Sequence, residues 1–242
     1  MRFTEQTSLG GVTEHLFVVD DLPGVLWLPE DAVGPRPLIL MGHGGGQHKK
    51  APGMVARGLR FAGEAGFAVA VVDAPGHGDR PKDPELGRIA AENRVRMEAG
   101  EPIAAILGPF HDLVATRSVP EWRRVLDALQ ELDTVGTGPV GYWGVSMGCG
   151  LGVPFVAAEP RVRAAVLGLG PVHAGGRAAA GVTVPVEFLV QWDDERIPRA
   201  ESLALFEALG STEKTLHANL GGHADVPLFE IDSALRFFIR HL

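Results

Sequence analysis

Pro139-Val140-Gly141-Tyr142-Trp143-Gly144-Val145-Ser146-Met147-Gly148-Cys149-Gly150 is the stretch that decides the fold of this chain. At its centre is a Gly-x-Ser-x-Gly motif, Gly144 to Gly148. It is set between an apolar, strand-like run (Pro139 to Trp143) and a small, apolar, helix-like one (Cys149 to Ala158). A serine on so sharp a strand-to-helix turn needs strained backbone angles. A bulky residue two positions to either side would collide with the neighbouring chain, and glycine removes that clash. The serine oxygen is then exposed at the end of a sheet. The N–H of Met147, at a helix start, points towards any negative charge that develops beside Ser146.

On both sides of this motif short apolar runs alternate with longer helical patterns, which predicts a mainly parallel sheet covered by helices. Val12 to Val19 and Gly24 to Leu28 read as an antiparallel hairpin turning at Asp20-Asp21-Leu22-Pro23. Pro37 to Met41, Phe67 to Val72, Ala164 to Leu169, Val186 to Gln191 and Lys214 to Ala218 read as further strands. Helices are expected over Val55 to Ala65, Arg199 to Leu209 and Val226 to His241. Ser118-Val119-Pro120-Glu121 predicts another helix start, running to about Leu132, with serine as cap, glutamate three residues on and proline in the first turn. Arg80 to Arg117 is too long for a simple connection. Its second half (Ile103, Ile106, Leu107, Phe110, Leu113, Val114) has helical spacing, interrupted at Gly108-Pro109. That segment is either a long covering helix or a small helical lid over Ser146. Neither repeats nor an interdomain linker interrupt the pattern, so residues 1–242 are read as one domain with 80–117 as the possible insertion.

Composition narrows the function classes. The chain has 242 residues, 45% hydrophobic and 21% charged, which suits a globular protein with a substantial core. A formal net charge of −8 and no basic run beyond Lys49-Lys50 argue against a nucleic-acid partner. The polar start (Met1-Arg2-Phe3-Thr4-Glu5) has no signal-type apolar core, and no run reaches membrane-spanning length. With one cysteine, Cys149, no internal disulfide can form, and a cytoplasmic location is expected.

A serine hydroxyl is a weak nucleophile unless a base takes its proton and an acid orients that base. In a parallel sheet these groups come from loops at the carboxyl ends of strands. Of the nine histidines, His15 and His217 lie inside strands and His241 at the far end of the last helix. His223, in the glycine-rich loop Leu220-Gly221-Gly222-His223 between the last strand and last helix, is the candidate base. Asp193 and Asp194 both follow a strand at its carboxyl end. Asp194, four residues before Pro198, is preferred as the acid and Asp193 is the alternative. For a second oxyanion donor beside Met147, the run His43-Gly44-Gly45-Gly46 offers the backbone N–H of Gly44 or Gly45 without obstructing side chains.

Other signals are weaker. Cys149, one residue past Gly148, should turn into the core as a small hydrophobe. His43, His48, His77 and Asp79 match no metal-site spacing. Gly42 to Lys50 lacks the serine or threonine of a phosphate loop, and no dinucleotide-binding glycine pattern follows any strand. Trp192 is either core or pocket wall.

His43-Gly44-Gly45-Gly46, Gly144-x-Ser146-x-Gly148, Asp194 and His223, in that order, resemble the α/β-hydrolase superfamily over roughly Val12 to Leu242. With Asp73-Ala74-Pro75-Gly76-His77-Gly78 and the compact size, the resemblance is to its dienelactone-hydrolase and esterase branch. It implies an eight-stranded, mostly parallel sheet with helices on both faces, and Ser146, His223 and Asp194 as nucleophile, base and acid. Dienelactone hydrolases proper carry cysteine at the elbow, where this chain has Ser146. Family lids commonly follow the sixth strand, whereas the spare length here is at Arg80 to Arg117. The expected activity is hydrolysis of small carboxylic esters through an acyl-enzyme, with a small-molecule substrate and no cofactor or metal. The same residues could serve amide or lactone hydrolysis, acyl transfer or peracid formation. A binding protein that keeps the fold without turnover is the reading from another class.

Overall fold

The computed structural model describes residues 1–171 and 176–242. Among them nine strands form one sheet: β1 (Arg2–Leu9), β2 (Val12–Val19), β3 (Leu22–Pro29), β4 (Leu38–Gly42), β5 (Ala68–Val72), β6 (Val140–Val145), β7 (Val162–Gly168), β8 (Val186–Gln191) and β9 (Lys214–Asn219). Their order across the sheet is β1-β2-β3-β5-β4-β6-β7-β8-β9. The first three are antiparallel, β3 pairs antiparallel with β5, and every pairing from β5 through β4 to β9 is parallel. The mostly parallel architecture is the expected one, with one more strand than the eight implied by the resemblance. That strand is β1. All of its residues are exposed, so it shows no core-facing alternation; backbone pairing with β2 holds it at the sheet edge.

The helices are α1 (Pro52–Ala65), α2 (Pro84–Glu98), α3 (Ile103–Gln130), α4 (Met147–Ala158), α5 (Gly176–Ala179), α6 (Arg199–Ala208) and α7 (Phe229–His241). The central strands are buried on both faces, which is why they read as continuous apolar runs. Ile39, Met41, Val69, Val71, Ala164, Val166 and Leu189 face Met54, Phe61 and Ala62 of α1 and Ile231, Ala234 and Phe238 of α7. Leu38, Leu40, Ala68, Ala70, Ala165, Leu167 and Phe188 face the other way, onto side chains of α3, α4 and α6. Burying a Leu, Ile or Phe side chain contributes about 1.5–3 kcal/mol, so these two layers dominate the stability. Among the described residues no helix is long and apolar enough to cross a membrane.

One expectation is overturned. A helix was expected to open at Ser118, after a break at Gly108-Pro109. Instead α3 runs unbroken for 28 residues, with Pro109 and Pro120 inside it. Ser118 is mid-helix and buried, and its hydroxyl has no partner among the described residues. An interior proline costs about 3 kcal/mol. The compensation is packing: Ile106, Val114, Trp122, Val125, Leu126 and Leu129 are all buried, most of them in one core. The first half of Arg80–Arg117 also forms α2. Asp83 caps it, accepting from the Leu86 N–H at 3.0 Å. The last helix starts at Phe229 rather than Val226.

Candidate active site

Ser146 sits between β6 and α4 at φ 59° and ψ −124°, a left-handed conformation that non-glycine residues rarely adopt. The turn is tight enough that side chains are excluded around it. A Cβ on Gly144 would meet the Gly148 carbonyl oxygen at 2.5 Å, and one on Gly148 would meet the Gly42 oxygen at 2.2 Å. The Ser146 N–H donates to the Gly168 carbonyl at 3.0 Å, and the Ser146 carbonyl accepts from Cys149 and Gly150. Backbone on both sides therefore fixes the turn.

His223, in the loop between β9 and α7, lies between Ser146 and Asp194. Its Nε2 is 2.9 Å from Ser146 Oγ, and its Nδ1 is 2.7 Å from Asp194 Oδ2. With the proton on Nδ1, the ring donates to the carboxylate and leaves Nε2 to accept from the serine hydroxyl. The Asp194 carboxylate is 1% exposed and also accepts from the N–H groups of Arg196 and Ile197, each at 2.8 Å. Burial alone would raise its pKa. The His223 hydrogen bond and the two N–H groups outweigh burial and hold the carboxyl below the usual carboxylate range.

Asp193 points elsewhere. Its Oδ2 accepts from the Gly221 N–H at 3.2 Å, and its own N–H donates to the Gly221 carbonyl. It thus holds the base of the histidine loop rather than the ring. Glu195, which the sequence did not single out, accepts from the His223 N–H at 2.9 Å. Trp192 is 40% exposed, with the Arg199 guanidinium 4.7 Å above its ring.

Gly44, Gly45 and Met147 lie beside Ser146. A Cβ on Gly45 would come 3.8 Å from that of Met147, so the two backbones approach closely. The N–H groups of Gly45 and Met147 have no hydrogen-bond acceptor among the described residues. Ser146 and His223 open onto two cavities. The larger, about 930 Å³, is walled by Leu86, Ala90 and Met97 of α2 and Ile103, Leu107 and Phe110 of α3. The smaller, about 330 Å³, is bounded by Gly44, Gly45, Arg57, Trp143 and Leu169.

No protein-family model and no curated protein matches the chain. Solved structures do. A cold-adapted esterase from an Arctic intertidal metagenomic library, in its PEG-bound complex, is 32% identical over the whole of both chains, with a TM-score of 0.81. The chain belongs to the α/β-hydrolase superfamily, in its esterase branch. The fold is shared more distantly with an acetyl xylan esterase from Paenibacillus sp. R4 (15% identity, all of this chain and 88% of that one, TM-score 0.74). Est1E from Butyrivibrio proteoclasticus, solved with ferulic acid bound, shares it too (17% identity, 93% and 97% of the two chains, TM-score 0.69).

The hydrolase's glycine loop is anchored from beneath by side chains whose supporting role was not legible in the sequence. His43 is buried; its Nδ1 lies 2.9 Å from the Gly44 carbonyl and its Nε2 accepts from the Ala74 N–H at 3.0 Å. Burial drives its pKa down to about 4, so it is a neutral strut. Lys49 is also buried and ion-pairs with Asp73, which is wholly inaccessible, at 2.7 Å. Asp73 further accepts from the N–H groups of Lys49 and Asp79. Desolvation works against both charges, and their mutual bonding outweighs it: the carboxyl is held low and the ammonium high.

This pair predicts an acid-sensitive stability. A depressed carboxyl contributes above its unfolded-state pKa and loses that contribution as pH falls through the folded-state value. Asp73→Asn should cost up to about 3 kcal/mol at pH 7, because Lys49 keeps a buried charge with Asp79 as its remaining carboxylate partner. The gap to wild type should close as pH falls below about 4. Urea unfolding at pH 7 and pH 3 measures both values, and equal destabilisation at the two pH values would refute the account.

His111, on α3, also went unmarked. It lines the larger cavity, is buried, and has an Nδ1 without a partner among the described residues. Burial pushes its pKa down to about 4. Cys149 is buried as expected, and burial pushes its thiol up to about 12. His43, His77 and Asp79, set aside as metal ligands, have the separate partners Ala74, Pro75 and Lys49.

Proposed function

We propose that this hydrolase cleaves small carboxylic esters through an acyl-enzyme, with Ser146, His223 and Asp194 acting as one unit. The observation that carries the reading is the bridge made by His223, within 2.9 Å of the serine oxygen and 2.7 Å of the carboxylate. Ser146 Oγ attacks the ester carbonyl while Nε2 of His223 takes its proton. Asp194 balances the charge of the imidazolium and fixes its tautomer. The N–H groups of Met147 and of Gly44 or Gly45 hold the developing oxyanion. His223 then protonates the leaving alcohol, and a water molecule, deprotonated by the same ring, releases the acid.

The two cavities support this substrate class. One arm of the ester occupies the larger, mainly apolar cavity and the other the smaller one beside Arg57. In this reading residues 80–117 are the cap, within one domain spanning 1–242. The Arg80–Glu121 pair, bidentate at 2.6 and 2.8 Å, ties the cap to α3, and Arg117 bonds to Asp83 and Glu85 across it. A buried lone thiol suits a reducing compartment, and we place the protein in the cytoplasm.

Nitrophenyl esters of rising acyl length, with lactone and amide substrates alongside, test the reading. Turnover should be best on esters. For the best ester, kcat/KM should rise with pH and then level off, because the base must be neutral to accept the serine proton. Asp194, held below the usual carboxylate range, is already ionised across that rise and adds no second step. A profile that does not rise with pH, with chemistry limiting, is incompatible with a histidine base.

A further inference from the structure

On the face covered by α7, strands β8 and β9 present Glu187, His217 and Asn219 to Glu230 and Ser233 in the first turns of the helix. Glu187 and Glu230 are each 4% exposed, an unusual place for two carboxylates. Three of their four oxygens have partners. Glu230 Oε1 accepts from Asn219 Nδ2 at 2.8 Å, Glu230 Oε2 lies 2.8 Å from His217 Nδ1, and Glu187 Oε2 accepts from Ser233 Oγ at 2.9 Å. The fourth, Glu187 Oε1, is fully buried, and no hydrogen-bond donor among the described residues reaches it. The other ring nitrogen of His217 is 3.8 Å from Glu187 Oε2.

One ligand atom from each of Glu187, His217 and Glu230 lies within 4.8 Å of the other two. Donors around zinc sit about 2.0–2.2 Å from the ion, which separates them from one another by about 3.3 Å in a tetrahedron. His217 Nδ1 stands 2.8 Å from Glu230 Oε2, and with one ligand atom taken from each residue the set spans no more than 4.8 Å, so small side-chain rotations would bring all three to that spacing around one ion. One imidazole and two carboxylates form a mixed nitrogen and oxygen set, which suits zinc and its neighbours better than calcium or magnesium. Asn219 and Ser233 would orient the carboxylates from outside. The His217 side chain, 29% exposed, leaves an approach from solvent.

We propose that Glu187, His217 and Glu230 form a binding site for one zinc-class divalent cation, with water completing four-coordination. The loop carrying His223 leaves β9 just after His217 and Asn219 and enters α7 just before Glu230. The ion would therefore clamp both ends of that loop. Its role is structural, since the ligands stand apart from Ser146 and from the ring of His223.

The test is zinc chloride titrated into the chelator-treated full chain by calorimetry, with thermal melts in parallel. One ion should bind per chain, and zinc at about 100 times its Kd should raise Tm by roughly 5–10 °C. Glu187→Gln and His217→Gln should each weaken binding at least about a hundredfold; circular dichroism checks that they fold, and Glu230→Gln replaces either one that does not. His223→Ala should bind zinc as tightly as wild type, which separates this site from an ion captured by the His223–Asp194 pair. The absence of stoichiometric binding in wild type overturns the proposal. So does wild-type affinity in the Glu187 and His217 variants, or binding lost only in the His223 variant.

Discussion

Ser146→Ala should lower kcat for a nitrophenyl ester by at least about a thousandfold while leaving the fold intact. The size follows from the geometry. Among the described residues His223 Nε2 has one hydroxyl within hydrogen-bond reach, that of Ser146, and without it a base at this position would have nothing to activate. Residual turnover would come from the oxyanion donors and from binding alone, because members of such a unit do not contribute additively. The complementary measurement is covalent: a fluorophosphonate probe followed by peptide mass spectrometry should place the adduct on Ser146. Cys149 is the nearest competing nucleophile in sequence, but its thiol is wholly buried and pushed up to about 12, so it is protonated at any working pH. Label on Cys149, or none in a folded preparation, would sink the assignment.

The second large effect separates two adjacent carboxylates. Asp194→Asn should lose at least about a hundredfold in kcat, and Asp193→Asn less than about tenfold. At 194 the carboxylate accepts three hydrogen bonds, one from the imidazole and two from backbone N–H groups. An asparagine must turn either its oxygen or its NH2 towards His223. The latter forces the wrong tautomer, and neither balances the imidazolium charge. Among the described residues the carboxylate at 193 accepts only from the Gly221 N–H, a bond that an asparagine oxygen can replace. Steady-state kinetics on both variants, with circular dichroism as a folding check, decides the matter. A crippled Asp193 variant beside an active Asp194 variant would reassign the acid.

These residues differ in how far the sequence revealed them. The elbow was legible because its glycines answer a steric demand that few other residues can meet, and the close approach of Gly148 to Gly42 is that demand made visible. His223 was legible by topology, since it alone among the histidines weighed follows the last strand in a glycine-rich loop. Asp194 was harder to read. What distinguishes it is the turn in which it accepts from Arg196 and Ile197 before α6, and that signal is local enough to have been found. The support beneath the glycine loop was not. Lysines are rarely buried, so nothing in the pair Lys49-Lys50 announces that one is exposed and the other ion-paired with an inaccessible aspartate. Strand β1 was missed for the opposite reason, being exposed throughout. The break expected at Pro109 and the start expected at Ser118 were sound local inferences, defeated by a shared hydrophobic face along α3 that only the assembled core reveals.

The crowding around α4 also limits how this enzyme can be improved. Replacing helical glycines with alanine is a standard way to gain about 0.4–1 kcal/mol, and α4 offers three of them in its first six residues. None is usable. A methyl group at Gly148 would strike the Gly42 oxygen at 2.2 Å. At Gly150 it would strike the His111 ring at 2.6 Å, and at Gly152 the Tyr142 ring at 2.1 Å. Each obstacle belongs to a different part of the molecule: the strand leading to the glycine loop, the cavity wall, and the strand below the nucleophile. A thermostability screen that scored α4 by helix propensity alone would select the substitutions most damaging to all three. Hardening of this enzyme has to be sought away from the helix behind its serine.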